Sequence, residues 1–283
     1  MNNGTVCLTF DFDAISLWIQ RDMTSLTSIS RGEFGVIAVP RILHILEKRG
    51  IKCTWFIPGH TIETYPNICK MIYEHGHEIA LHGYVHENFN ILSQEEEWEI
   101  LQKSIQAVET LTGIRPKGFR SPSWDVSSRT IRNLESLGIL YDSSQMGNDY
   151  GVYFSRIGDE HFKDRATKFG ALSKIVEIPV SWSLDDYVYF EYLKTPSGLF
   201  PGLRTPEEMY INWDGDIEYM LRDIENGVLV ATFHPQVSGR GHRLLGLEKW
   251  IDSLIEKGIV FSRMDNIAAS FLNGTRFGIY NPR

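Results

Sequence analysis

The chain has 283 residues, with 28 basic and 36 acidic side chains and a formal net charge of −8. Its hydrophobic fraction of 42%, including 12% aromatics, supplies a substantial core and excludes global disorder. The acidic balance and the lack of basic runs argue against a nucleic-acid partner, and charges interrupt every apolar stretch before the roughly 20 residues that a membrane span needs.

The start, Met1-Asn2-Asn3-Gly4-Thr5, has no basic n-region, so no secretory signal and a cytoplasmic location are expected. Seven short apolar runs then read as strands: Val6–Phe12, Cys53–Ile57, Glu78–Leu81, Lys117–Arg120, Ile175–Trp182, Val228–Phe233 and Ile259–Arg263. Helical spacing fills most of the gaps. Val39–Lys48 puts Ile42, Leu43 and Leu46 on one side, with Pro40 suited to a first turn. Ser93 is an N-cap with Glu96 three residues on, opening a helix that runs to Gly113. Ser128–Leu137 before Gly138, and Leu247–Glu256 before Gly258, repeat the pattern of helix then glycine. The stretches 149–174 and 194–206 read as irregular insertions of one domain covering residues 1–283. Alternating strands and helices predict parallel pairing, and seven strands favour an α/β barrel, incomplete in its closure, over an open sheet. Cys7, Cys53 and Cys69 form no CxxC and cannot all pair, so buried free thiols are expected.

Polar residues gather at the C-terminal ends of these strands, where α/β active sites lie. They are Asp11 and Asp13 in TFDFD, His82 and His86 in HGYVH, Arg120 to Trp124 in RSPSW, Asp185 and Asp186 in LDD, and His234 before Pro235. Two His four apart with a carboxylate from another strand form a set suited to a divalent metal such as zinc. Asp11 and Asp13 share one side of a strand by its two-residue period, so one could bind metal and the other serve as base. His234 suits a general acid, and Arg120 could hold an Asp in its ionised form. His60 and His77 read as supporting or purely structural residues, and His44, His75, His161 and His242 as solvent-facing.

Together these motifs resemble the polysaccharide deacetylase family of NodB-homology type, over Thr9 to about Ala268. RGEFGVIAVPRIL, WFIPGHTIETYP, GHEIALHGYVHEN, EIPVSWSLDDY and HPQVSGR are similar to its intracellular branch, which holds a peptidoglycan-deacetylase-like protein, cyclic imide hydrolases and metal-independent allantoinases. The resemblance implies an irregular (β/α)7 barrel and often a homotetramer. It makes Asp13, His82 and His86 the ligands of a divalent metal, with Zn2+ first and Co2+, Ni2+ or Mn2+ as alternatives. Asp11 would be the catalytic base, oriented by Arg120, and His234 the acid, tuned by Asp185 or Asp186. Phe12 between the two acids departs from the DD of many relatives. The expected reaction is hydrolysis of a non-peptide C–N bond: N-deacetylation of an N-acetylated sugar or small amide, or alternatively opening of a cyclic imide or ureide. Trp124 and Arg240 would contact the substrate. A member that only binds a sugar or metabolite is the remaining possibility.

Overall fold

A computed structural model describes residues 4–195 and 198–282. Residues 1–3, at the start read for a signal, and Pro196 and Ser197, within the second insertion, lie outside the described residues. The main strands are β1 (Thr5–Asp11), β2 (Thr54–Ile57), β3 (Glu78–Leu81), β4 (Gly118–Phe119), β5 (Tyr141–Asp142), β6 (Tyr153–Ile157) and β7 (Ala171–Glu177), followed by Val228–Phe233 and Val260–Phe261. They form one nine-stranded sheet in the order Val228–Phe233, β1, β2, β3, β4, β5, β7, β6, with Val260–Phe261 also paired to β1. Every pairing is parallel except β6 with β7. The sheet curls into a half-barrel, and the Val228 N–H reaches the Tyr150 carbonyl just before β6 at 3.0 Å.

All seven expected strands have counterparts in this sheet, but two more join it. Tyr141–Asp142 is only two residues long, too short for a hydrophobic pattern. Tyr153–Ile157 falls in the stretch expected to be irregular; Ser155 and Arg156 break its apolar run, and it pairs antiparallel with β7 as a hairpin. A third difference concerns the run expected over Ile175–Trp182. Its strand starts at Ala171 and ends at Glu177, and a short 3-10 turn over Trp182–Leu184 follows. The chain then makes a single parallel bridge from Asp185 to Thr232. That bridge carries Asp185 and Asp186 to the outer edge of Val228–Phe233, so they do not simply extend their own strand.

Alternation along β1 sorts its side chains. Val6, Leu8 and Phe10 face outward into the helix-covered core, where the Phe10 ring stacks on Trp55 at 4.5 Å. Cys7 packs inside the half-barrel with Phe56, Tyr141 and Val176, and Thr9 and Asp11 continue that column by the two-residue period. Two helices then hold the end of β1: α1 (Ser16–Gln20) and α2 (Leu26–Glu47). Pro40 lies inside α2, not in its first turn. An interior proline costs about 3 kcal/mol, which the burial of Ala38, Val39, Ile42, Leu43, Ile45 and Leu46 offsets. Gly32 of α2 has a steric role, because a Cβ there would lie 2.3 Å from the Ala14 carbonyl oxygen. The close approach presses α2 onto the turn that carries Asp13.

The helix Gln94–Thr112 opens with the expected Ser93–Glu96 capping box and ends at Gly113 in the left-handed region. The helices Ser128–Ser136 and Gly241–Glu256 are likewise followed by left-handed Gly138 and Gly258. The second starts six residues earlier than its apolar spacing suggested, since Gly241 to Gly246 carry little periodic signal. Cys7, Cys53 and Cys69 are free and buried. Among the described residues, no helix is long and apolar enough to cross a membrane.

His77 is structural. It is buried, its Nδ1 accepts the Cys53 N–H at 3.1 Å, and burial pushes its pKa down from 6.5 to about 3. Between these two values the unfolded chain binds a proton that the folded chain refuses, so stability falls as pH drops below 6.5. Denaturant melts should show His77 contributing about 2 kcal/mol of lost stability between pH 6.5 and pH 5. A His77→Asn variant should lose less over the same interval.

Candidate active site

A cavity of about 540 Å³ opens at the C-terminal ends of the strands, with Asp11, Asp13, His82, His86, Asp185 and His234 on its floor. Its walls are mostly apolar: Leu17, Met23, Trp124, Trp182, Val188 and Leu193, with Ser123, Arg21 and Tyr187 beside them. Trp124 and Trp182 stack at 4.4 Å to form one flat side.

Asp11 ends β1 inside the half-barrel and is 1% exposed. Its Oδ1 accepts from Arg120 Nη1 at 2.7 Å. That guanidinium is wholly buried, lies 4.1 Å from the Phe56 ring centre and also donates to the Thr9 hydroxyl, the Ser143 carbonyl and the Ser143 hydroxyl. Burial works to raise the Asp11 pKa, but Arg120, His82 and His234 together bring it below the ordinary carboxylate value. Asp11 is thus held as an anion, with Oδ2 outside the Arg120 bond.

Asp13 follows β1 and meets His82 and His86. Asp13 Oδ1 lies 3.5 Å from His82 Nε2 and 3.9 Å from His86 Nε2. These separations are too long for good hydrogen bonds, and one donor atom from each residue lies within 4.8 Å of the others. Asp13 Oδ1 is buried with no hydrogen-bond partner among the described residues, while Oδ2 accepts from Gln236 Nε2 at 3.3 Å. His82 Nδ1 lies 2.8 Å from the Arg120 carbonyl. A carbonyl only accepts, so Nδ1 carries the proton and Nε2 presents a lone pair to Asp13. Burial lowers the pKa of both His82 and His86, which keeps them neutral, and raises that of Asp13 to about 7. An orphaned buried carboxylate oxygen facing two neutral imidazoles fits a divalent cation.

The loop between these imidazoles is shaped for the task. Gly83 has a φ of +68°, and a Cβ there would lie 2.7 Å from Glu87 Oε2. Glu87 in turn accepts from the backbone N–H groups of Tyr84 and Val85 at 2.8 and 2.9 Å. The loop therefore returns His86 to the cavity in a left-handed conformation, with φ of 68°.

His234 follows the strand Val228–Phe233 and is 7% exposed. Its Nδ1–H donates to Asp186 Oδ1 at 2.7 Å, and its backbone N–H reaches both Asp186 oxygens at 3.0 and 3.1 Å. The Ser238 hydroxyl donates to Asp186 as well. Asp185 lies farther off, 3.6 Å from Nδ1, and accepts the Tyr187 N–H at 2.7 Å. Asp186 is therefore the residue bonded to the ring, and Asp185 the one that faces the cavity. Burial disfavours the imidazolium, but Asp185 and Asp186 outweigh it and hold the His234 pKa well above its ordinary value. Burial also lifts Asp185 to about 7.

The structure thus brings together Asp11, Asp13, His82, His86, Arg120, Asp185, Asp186, His234 and Trp124. It does not bring in Arg240, which lies outside this cavity with its guanidinium 3.5 Å from the Phe34 ring centre. Proline 235 turns the chain into a short helix over Pro235–Ser238 and directs Arg240 elsewhere. Sequence reasoning missed Gln236, Ser143, Ser238, Arg21 and Tyr187. Gln236 lies within the HPQVSGR motif, but nothing in its type points to Asp13. Arg21 donates to the Tyr187 hydroxyl at 2.9 Å across 166 residues of sequence separation.

Residues 1–141 match the polysaccharide deacetylase family. The chain is 34% identical over 276 residues to the peptidoglycan deacetylase of Helicobacter pylori, covering 93% of this chain and 94% of that one. It is 34% identical over 271 residues to a peptidoglycan deacetylase-like protein of Gibberella zeae, covering 87% and 80%. A solved Mycobacterium smegmatis structure assigned as a polysaccharide deacetylase has a TM-score of 0.83 at 30% identity, covering all of this chain and 95% of that one. An allantoinase structure shares the fold, with a TM-score of 0.74 at 17% identity and coverage of 96% and 90%. The chain belongs to the polysaccharide deacetylase family, the metal-dependent hydrolases of non-peptide carbon–nitrogen bonds.

Proposed function

We propose that this chain, as a single domain over residues 1–283, removes the acetyl group from an N-acetylated amino sugar or a closely related small amide. The observation that carries this reading is the pairing, in one cavity, of a buried Asp-His-His set with an ionised Asp11 and a protonated His234. Asp13, His82 and His86 would hold the cation, and Zn2+ suits such a set. The chemistry such an ion supplies is polarisation of the amide carbonyl and a lowered pKa for water.

The protein's own groups do the proton transfers. Asp11 Oδ2 accepts the proton of the attacking water while Arg120 fixes Oδ1. The Ser123 N–H has no acceptor among the described residues and lies at the cavity wall, so it can donate to the developing oxyanion. His234, held through Nδ1 by Asp186, gives its Nε2 proton to the departing amine. The Trp124–Trp182 face offers a platform for a sugar ring.

The test is acetate release from N-acetylglucosamine and its oligomers, assayed beside succinimide, hydantoin and allantoin. Acetate release supports the reading, whereas ring opening without acetate would assign the chain to cyclic amide hydrolysis instead. Elemental analysis should find about one equivalent of divalent metal in the wild type and less than a tenth of that in His82→Ala, because losing one of three protein ligands removes most of the affinity. A homotetramer in light scattering and recovery in the cytoplasmic fraction are expected alongside.

A further inference from the structure

A second cavity, of about 430 Å³, lies on the other side of α1 and takes in Trp18, Arg31, Phe190, Gln236, Arg240 and Arg243. We propose that it binds a free small oxyanion, carrying a phosphate or carboxylate group, at a site distinct from the catalytic cavity. Three guanidiniums share this space, and each is stacked on an aromatic ring. Arg31 lies 4.6 Å from the Trp18 ring centre, Arg240 3.5 Å from that of Phe34, and Arg243 4.6 Å from that of Phe190. Stacking fixes the plane of a guanidinium and leaves its N–H edge to donate, the arrangement that suits an oxyanion.

Their own hydrogen bonds leave donors over. Arg31 pairs with Glu191 and donates to the Tyr192 carbonyl at 2.7 Å, so one carboxylate already sits in the cavity. Arg243 donates to the carbonyls of Val237 and Phe190 at 2.8 and 3.2 Å, but its Nε is buried with no partner among the described residues. The Arg240 guanidinium has no hydrogen-bonding or ion-pair partner among the described residues, whereas its carbonyl accepts the N–H groups of Arg243 and Leu244. It also feels Arg41 nearby, and partial desolvation together with that like charge lowers its pKa.

The backbone adds to the same field. Arg240 is the N-cap of the 16-residue helix Gly241–Glu256, which has no side-chain cap, so its positive end is open beside the three arginines. Gln236, 6% exposed, also lines the cavity, and its Nε2 donates to Asp13. An occupant would therefore lie one side chain from the proposed cation ligands.

Titration calorimetry of the purified holoenzyme with inorganic phosphate, and separately with succinate, tests this. At least one should bind saturably, with a dissociation constant near or below about 1 mM, corresponding to about 4 kcal/mol of binding. Arg240→Gln should weaken that binding at least about tenfold and Arg240→Glu should abolish it, a loss of 1.4 kcal/mol or more. Both variants should keep the wild-type thermal melt, because Arg240 is largely exposed and its guanidinium makes no hydrogen bond or ion pair among the described residues. Absence of saturable binding by either probe overturns the proposal. So does binding that Arg240→Glu leaves intact, which would place the anion at the catalytic cavity.

Discussion

Asp11→Asn is expected to lower kcat/KM by about 10³-fold, equivalent to about 4 kcal/mol of transition-state stabilisation. The substitution keeps the shape of the side chain and its acceptor oxygen toward Arg120, but removes the charge that takes the proton from water. The cation should stay, since Asp13, His82 and His86 are untouched. Activity and metal content must therefore separate: turnover nearly gone, metal within about a fifth of the wild-type value if base and ligand roles divide as proposed. A variant that loses both would mean that Asp11 helps hold the ion. One that keeps more than about a tenth of the activity would remove Asp11 from the role of base.

Arg120→Met should have the largest effect on stability. Asp11 is 1% exposed and held ionised chiefly by this guanidinium. Taking away one member of a buried pair leaves an uncompensated charge, which costs about 3–5 kcal/mol. Denaturant melts of metal-free proteins at pH 7 would measure it. Adding Asp11→Asn to Arg120→Met should then restore a good part of the loss, because no buried charge is left alone. The double-mutant cycle should give a coupling of at least about 1.5 kcal/mol. A loss below about 1 kcal/mol for Arg120→Met would mean that Thr9, Ser143 and solvent compensate Asp11 without it.

These two residues were legible before any coordinates, because each ends an apolar run with a polar group that has no place in a core. The same reasoning located Asp13, His82, His86 and His234. The Ser93–Glu96 box and the glycines after three helices were legible too, since caps depend on a few adjacent residues. Local signals failed where length or packing decided. The strand Tyr141–Asp142 has no pattern to read, and Pro40 looks like a helix start until the buried side of α2 is seen to run through it. The choice between Asp185 and Asp186 was open in sequence because they are neighbours with the same chemistry. The single bridge from Asp185 to Thr232 rotates Asp186 under His234.

Arg240 shows the opposite error. Its place in HPQVSGR put it near the chemistry, but the short helix after His234 turns it to the far side of α1. The sequence by itself determined the alternation of strands and helices, the residue types at the strand ends and hence the family's chemistry. Those depend on side-chain periodicity and on charges that must end outside an apolar run. Only the tertiary structure decided which carboxylate is anionic, which imidazole is protonated and which arginine serves which cavity. Those properties come from burial and from partners brought within about 4 Å across the chain, where electrostatic energies outweigh any local preference.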